Sequence, residues 1–276
     1  MLLHEHLENG ADKNPNFPFS EFEGNSLSYQ EANLLSNQLA NKLVSEGLEV
    51  GDRFAFLAKN CTEMAIMYYA ASKVGAVPVP LNYRLADQEW AYIINDSEAK
   101  LIIVKGNEYS DRINQISSEL KNVKKYISIS LDNSIEKFQD FYEWLSDSSN
   151  EKPTLKIHEN DDVYQMYTSG TTGHPKGAVL LQRNVAANIR QYLNSLTLPR
   201  PSRTLLVAPM YHAAAMINMC GCIAIGGTIV IQEDFIPQDV VDCLAKEKIT
   251  QTVLVPAMSQ ACLVSVPNVA SNEYND

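Results

Sequence analysis

At 276 residues with 45% hydrophobic content, the chain is long enough to bury a substantial core as one large or two ordinary domains, which excludes a disordered polymer. A formal net charge of −11 argues against a nucleic-acid partner, which needs clustered Lys and Arg, and against docking on anionic membranes. The five cysteines, Cys61, Cys220, Cys222, Cys243 and Cys262, have no framework spacing, the opening residues lack a leader pattern, and no apolar run reaches the roughly eighteen residues of a transmembrane segment. The expected compartment is the reducing cytoplasm.

His4 and His6 read as solvated residues of a terminal helix. Ser28-Tyr29-Gln30-Glu31 is a capping box, and Ala32, Leu35, Leu39 and Leu43 follow at helical spacing up to Gly47. Residues 53–58 predict a short apolar strand, and Thr62 to Val74 a helix closed by Gly75. The prolines of Ala76-Val77-Pro78-Val79-Pro80-Leu81 place that extended segment at a sheet edge or strand end. A helix over 87–95, a strand over 101–104, a helix around 112–120, a strand over 126–129 and a helix over 138–145 continue the alternation, which means a parallel sheet. The polar run 146–153 separates two expected lobes, residues 1–150 and residues 151–276.

The second lobe repeats the plan. Strands are expected over 163–167, 178–181, 204–208, 228–231 and 252–255, with helices over 184–193, 212–225 and 238–246. The fold class is therefore α/β: two lobes with largely parallel sheets flanked by helices.

Between the first two of those strands lies Tyr167-Thr168-Ser169-Gly170-Thr171-Thr172-Gly173-His174-Pro175-Lys176-Gly177. Its composition suits a phosphate: glycines let the backbone approach an anion, hydroxyls and free N–H groups donate to its oxygens, and Lys176 supplies positive charge. It is not a Walker A loop, because Pro175 and Gly177 stand where that loop requires glycine and a hydroxyl around the lysine.

The run resembles the signature loop of the adenylate-forming superfamily, the acyl-CoA synthetases and their relatives, at every specified position. Pro209-Met210-Tyr211-His212 is similar to a second superfamily segment, and Leu27–Glu31, Gly51-Asp52-Arg53, Leu81–Leu85 and Tyr92–Ser97 are similar to its amino-terminal pattern. The resemblance implies ATP-dependent activation of a carboxylic acid, most simply a fatty acid, to an acyl adenylate and then a CoA thioester. ATP and Mg²⁺ would be required, with CoA as cosubstrate. Thr168, Ser169, Gly170, Thr171, Thr172, Gly173 and Lys176 would grip the phosphates, Thr168 or Thr171 could ligate Mg²⁺, and Lys176 and His212 would take part in catalysis, His212 near the reacting carboxylate. Arg84 receives no catalytic role.

The superfamily's complete enzymes are about twice as long, and their adenine-packing, ribose-holding and carboxy-terminal lysine motifs do not occur before Asp276. The expectation is an amino-terminal portion, from a split, truncated or incompletely predicted gene, inactive alone and needing the rest of the enzyme, such as a separately encoded carboxy-terminal half. The alternatives are a catalytically dead nucleotide- or acyl-binding regulatory fragment and an independent phosphate-utilising enzyme. Cys220-Gly221-Cys222 reads as small apolar residues of a buried helix rather than half a metal site.

Overall fold

The computed structural model describes residues 1–130, 135–168, 173–267, 269 and 274. Helix α1 (Leu3–Lys13) leads into a hairpin, β1 (Pro18–Phe22) and β2 (Asn25–Ser28), and α2 (Tyr29–Ser45) follows. The capping box forms: Ser28 Oγ accepts from the Glu31 N–H (3.3 Å), and Glu31 Oε2 accepts from the Ser28 N–H (2.8 Å).

Five parallel strands make the first sheet, in the order β4 (Val77–Leu81), β3 (Arg53–Leu57), β5 (Leu101–Lys105), β6 (Lys125–Ile129) and β7 (Phe138–Asp140). Its crossovers carry α3 (Thr62–Val74), α4 (Asp87–Asp96), α5 (Asn107–Ile116) and a 3-10 turn over Ser117–Glu119, and α6 (Phe141–Leu145) follows β7. β4 is an edge strand, as its prolines require. The Val77 N–H donates to Asp52 O on the β3 side, so Pro78 and Pro80, which have no N–H, fall at alternate positions turned to the open edge.

Beyond it, β8 (Asp162–Thr168) and β9 (Lys176–Leu181) form an antiparallel hairpin, followed by α7 (Gln182–Ser195). The remaining elements are β10 (Arg203–Leu206), α8 (Ala213–Ala224), β11 (Thr228–Ile231), α9 (Pro237–Lys246), β12 (Gln251–Thr252) and α10 (Pro256–Ser265). The second sheet runs β12-β10-β11-β1-β2, parallel except for the β1–β2 pair.

Side chains alternate across both sheets and sort the core into layers. Ala55, Leu57, Ile102 and Val104 face α4 and α5, while Phe54, Phe56, Leu101 and Ile103 face the centre. In the second sheet Leu206, Ile229 and Ile231 also face the centre, and Leu205, Val207 and Val230 face α9 and α10. Between the sheets lie α1, α2, α3, α7 and α8, and every residue of α3 from Met64 to Val74 is buried. Two sheets share one central helical layer.

Residue 150 lies between α6 and β8; β1 joins the second sheet by pairing with β11, about 200 residues away, β2 pairs with β1, and the central cluster draws on residues from both sides of that position. The arrangement corrects several local expectations. Residues 138–145 are not one helix. Asp140 Oδ1 caps α6 by accepting from the Tyr142 and Glu143 N–H groups, which demands an extended backbone at Asp140 and leaves 138–140 free to pair with β6. Of the last expected strand, 252–255, only Thr252 pairs, together with Gln251 before it, because Val255 already caps α10. His4 is buried and held by Ser72, and His6 is half-buried, so neither is simply solvated.

Val255, Leu263 and Val264, beside the short edge strand β12, are 50%, 67% and 78% exposed. Apolar exposure next to an unpaired edge favours association. Light scattering should show concentration-dependent growth of the isolated chain, reduced by Leu263→Lys with Val264→Glu; a monodisperse monomer at high concentration would contradict this.

Candidate phosphate-loop site

The hairpin β8–β9 presents the loop at its tip. Register pairs Tyr167 with Gly177 and Thr168 with Lys176, so the Thr168 hydroxyl and the Lys176 ammonium flank the neck from opposite strands, both exposed. Ser169, Gly170, Thr171 and Thr172 lie outside the described residues. Gly173 has φ +119°, a conformation that side chains rarely adopt. At Gly177 a Cβ would come closer than 3.0 Å to Gln165 Nε2 and Tyr167 Cζ, so glycine here is needed for close packing.

The neck is tied to the first sheet. Arg53 pairs with Asp162 (3.2 Å) and donates from Nε to Gln165 Oε1 (3.2 Å); Gln165 Nε2 donates to Tyr167 Oη (3.1 Å), and Tyr167 Oη donates to Asp96 Oδ2 (2.6 Å). Burial, followed by the Asp96 carboxylate, pushes the Tyr167 phenol pKa up, so it stays a donor. Tyr92 of α4 stacks on His174 (centroids 4.8 Å apart, planes at 20°), and its hydroxyl donates to Pro175 O (3.3 Å).

His212 is the N-cap residue of α8 and lies at the end of a second constellation. Asn60, just after β3, fixes the approach: its Nδ2 donates to Ala208 O and Gln232 O (3.1 Å each), and its Oδ1 accepts from the Met210 N–H (2.7 Å). The rings of Tyr83 and Tyr211 meet edge to face at 5.6 Å, Tyr211 lies 4.3 Å from His212, and the Arg84 guanidinium sits 5.1 Å over Tyr83. One side of His212 faces solvent. Packing on the other side, with the Arg84 charge, lowers its pKa and favours a neutral imidazole that can accept a proton or a hydrogen bond.

The sequence matches the family described as AMP-binding enzyme over residues 7–275. The chain belongs to that family. It is 30% identical over 234 residues to the long-chain-fatty-acid–CoA ligase FadD13 of Mycobacterium tuberculosis, covering 84% of this chain and 45% of that protein. Feruloyl-CoA synthase of Amycolatopsis sp. is 30% identical over 239 residues, covering 86% and 45%. The inhibitor-bound N-terminal domain of FACL13 from Mycobacterium tuberculosis superimposes with a TM-score of 0.90 at 28% identity, covering all of this chain and 68% of that domain. The chain thus spans about half the length of the curated relatives it matches.

Within this AMP-binding framework the described members of the expected site fall into two groups. Thr168, Gly173 and Lys176 share the neck of the hairpin, and His212 stands with Tyr211, Tyr83 and Arg84. Among the described residues no hydrogen bond, ion pair or ring contact joins His212 to Thr168, Gly173 or Lys176. Their link is indirect: Tyr83 and Tyr167 both pack on the cluster around Trp90 and Tyr109.

Four residues were not singled out as site residues by the sequence. Tyr92 and Asp96 touch the neck, Asn60 orders the segment before His212, and Arg84 acts on His212 through space. Arg84 and Asn60 follow the carboxyl ends of β4 and β3, where parallel sheets gather functional groups.

Thr168 is a neutral oxygen donor. Among the described residues no group of three or more His, Cys, Asp or Glu could hold a metal. Cys220 and Cys222 are core residues: burial raises both thiol pKa values, that of Cys222 to about 12.

Proposed function

We propose that this chain is the phosphate-gripping part of an ATP-dependent acid–thiol ligase that acts on a fatty or aryl carboxylate. The single observation that carries the reading is the glycine- and hydroxyl-rich tip of β8–β9, with Lys176 and Thr168 paired across its neck and that neck fastened to the first sheet. Such a composition suits a triphosphate: a cation and a hydroxyl donor stand on paired positions across the neck, and glycines offer no side chain to obstruct an anion. A Mg²⁺ ion fits as the nucleotide's companion, with Thr168 or Thr171 offering an oxygen, because its charge would be neutralised mainly by phosphate ligands.

In the reaction, a carboxylate oxygen bonds to the α-phosphorus as the bond to the pyrophosphate oxygen breaks, and a thiol then takes the acyl group and releases AMP. This chain's contribution is to orient the leaving phosphates and offset their charge, which is most of what phosphoryl chemistry asks of a protein. His212, kept neutral, would accept a hydrogen bond beside the carboxylate or orient it. The apolar α8 that begins after His212 suits an apolar acyl tail, as the names of the fatty-acid and feruloyl relatives suggest.

CoA is the proposed acceptor, and the residues that complete the site belong to a carboxy-terminal portion encoded with or separately from this chain. All five cysteines are free and buried, and no described helix is long and apolar enough to cross a membrane, which fits the cytoplasm.

Calorimetric titration with MgATP should show binding to the chain, weakened about ten-fold by Lys176→Ala, equivalent to roughly 1.4 kcal/mol. No binding by the unaltered chain would overturn the reading. Carboxylate-dependent exchange of labelled pyrophosphate into ATP should be absent with the chain alone and appear when a carboxy-terminal half is supplied. Robust exchange by the chain alone would show it competent by itself, and ATP binding without exchange under either condition would favour a regulatory binding protein.

A further inference from the structure

Two residues one turn apart on α4 reach the two sides of the loop's base. Asp96 accepts from the Tyr167 hydroxyl on the β8 side (2.6 Å), and Tyr92 stacks on His174 and donates to Pro175 O on the β9 side (3.3 Å). Residues at i and i+4 share a helix face. The opposite face of α4 is fixed in the core: Trp90, Ile93 and Ile94 are buried, and Trp90 Nε1 donates to Asn82 O (2.8 Å). The Arg112 guanidinium lies 4.0 Å over the Trp90 ring and pairs with Asp87 at 2.7 Å. One side of the helix is rigid, and the other holds both stems of the hairpin.

We propose that α4 is a brace that pre-sets the phosphate loop, with Tyr92 and Asp96 as its positioning residues and His174 as the surface on which Tyr92 bears. The physical effect is entropic. Stems that are fixed before an anion arrives have less freedom left to lose on binding, so binding is stronger with no added contact to the ligand. Neither Tyr92 nor Asp96 needs to touch phosphate. Asp96 could not usefully do so: its carboxylate is engaged by Tyr167 and would repel an anion. The flat Tyr92–His174 contact also selects among side chains at position 174, since an aliphatic residue there would lose the stack.

The ligand affected is the one assigned under the proposed function, and the brace rests on that reading only for this. The test therefore uses two readouts on the full chain. One is calorimetric affinity for inorganic tripolyphosphate with Mg²⁺; the other is backbone amide exchange across residues 166–178 without ligand, with the melting temperature as control. Freeing about one residue's backbone should weaken binding roughly ten-fold. Tyr92→Leu and Asp96→Ala should each do so and speed exchange in that segment. Tyr92→Phe, which keeps the stack, and Asp96→Asn, which can still accept from Tyr167, should stay within about three-fold of the unaltered chain. Asp96 is exposed, so its pair of variants keeps the test sound if Tyr92→Leu impairs folding.

Melting temperatures that fall with affinity and segment exchange unchanged would overturn the brace, as would faster exchange with unchanged affinity. If the unaltered chain binds no tripolyphosphate while Asp96→Ala still speeds exchange relative to Asp96→Asn, the triphosphate reading falls and the mechanical brace stands. If exchange is also unchanged, both fall.

Discussion

Gly10→Ala should destabilise the chain by at least about 2 kcal/mol, although alanine is the better helix former by about 1 kcal/mol. Gly10 lies inside α1, and a Cβ there would come closer than 3.0 Å to Tyr29 Cδ1 and Cε1. The ring cannot swing away. Tyr29 is fully buried, Phe19 meets it edge to face at 5.6 Å, and its hydroxyl donates to Gly227 O at 2.7 Å, which ties α2 to the turn before β11. The helix must therefore shift outward and loosen the buried Leu3 and Leu7. Urea unfolding should show a lower midpoint with little change in slope, and in the Tyr29→Leu background the same substitution should cost much less, a coupling that reports direct contact. A midpoint raised by Gly10→Ala would mean that helix propensity decides and that α1 does not pack on Tyr29 in this way.

Tyr29 also shows what local reading of a sequence reaches. Its place at the start of a capped helix is legible, because Ser28 and Glu31 cap by contacts three residues apart, and α3 ends at Val74 as expected because Gly75 supplies the left-handed turn. The parallel first sheet and the proline-marked edge strand follow from patterns within a few residues. The hairpin β1–β2, turned at Glu23-Gly24, carries no clear local mark, because its purpose appears only when β1 pairs with β11. The polar run 146–153 marks a change of composition along the chain. Sharing of one helical layer by two sheets leaves no such mark.

The site divides in the same way. Loop chemistry is carried by adjacent residues, so Thr168 and Lys176 can be named from sequence, and the hairpin register then places them opposite each other. Arg84, Asn60, Tyr92 and Asp96 act through contacts across 71 to 172 positions, as in Tyr167 to Asp96 and Gln232 to Asn60. Nothing periodic marks them. The one sequence-level hint is their position just after strand ends or on a crossover helix, where a parallel sheet collects its functional groups.

Acidification should weaken the fold well before the carboxylates protonate, and α1 is where the effect originates. His4 Nδ1 lies 3.0 Å from Ser72 Oγ, whose lone pairs already accept from the His4 N–H (3.2 Å) and Gln182 Nε2 (2.9 Å). The Ser72 proton is left for Nδ1, so His4 fits as the neutral ring; an added proton on Nδ1 would face an occupied oxygen. Burial lowers the His4 pKa against the attraction of Glu8 and Glu5, and Lys73 and Lys152 add to the lowering. His6 is held down to about 4 by burial first and then by the amino terminus and His4, against Glu5. Unfolded, both return to an ordinary value near 6.5. As pH falls below that value the unfolded chain binds protons that the native chain refuses, so the histidines' contribution is full above about pH 7 and declines from 6.5 towards 4. At about 1.36 kcal/mol per pH unit, His6 alone accounts for at most roughly 3 kcal/mol over that window, and His4 acts in the same direction. His212 also has a lowered pKa, but its exposure screens the effect. Glu21, Asp52 and Glu63 have lowered pKa values in the fold, so their contribution persists through this range and fails only below it. Urea unfolding at pH 7.5, 6.5, 5.5 and 5.0 should therefore give falling stabilities, and His6→Gln should remove one histidine's share of the slope. A stability independent of pH from 7 to 5, or an unchanged slope in His6→Gln, would show that α1 does not hold these rings in their neutral form.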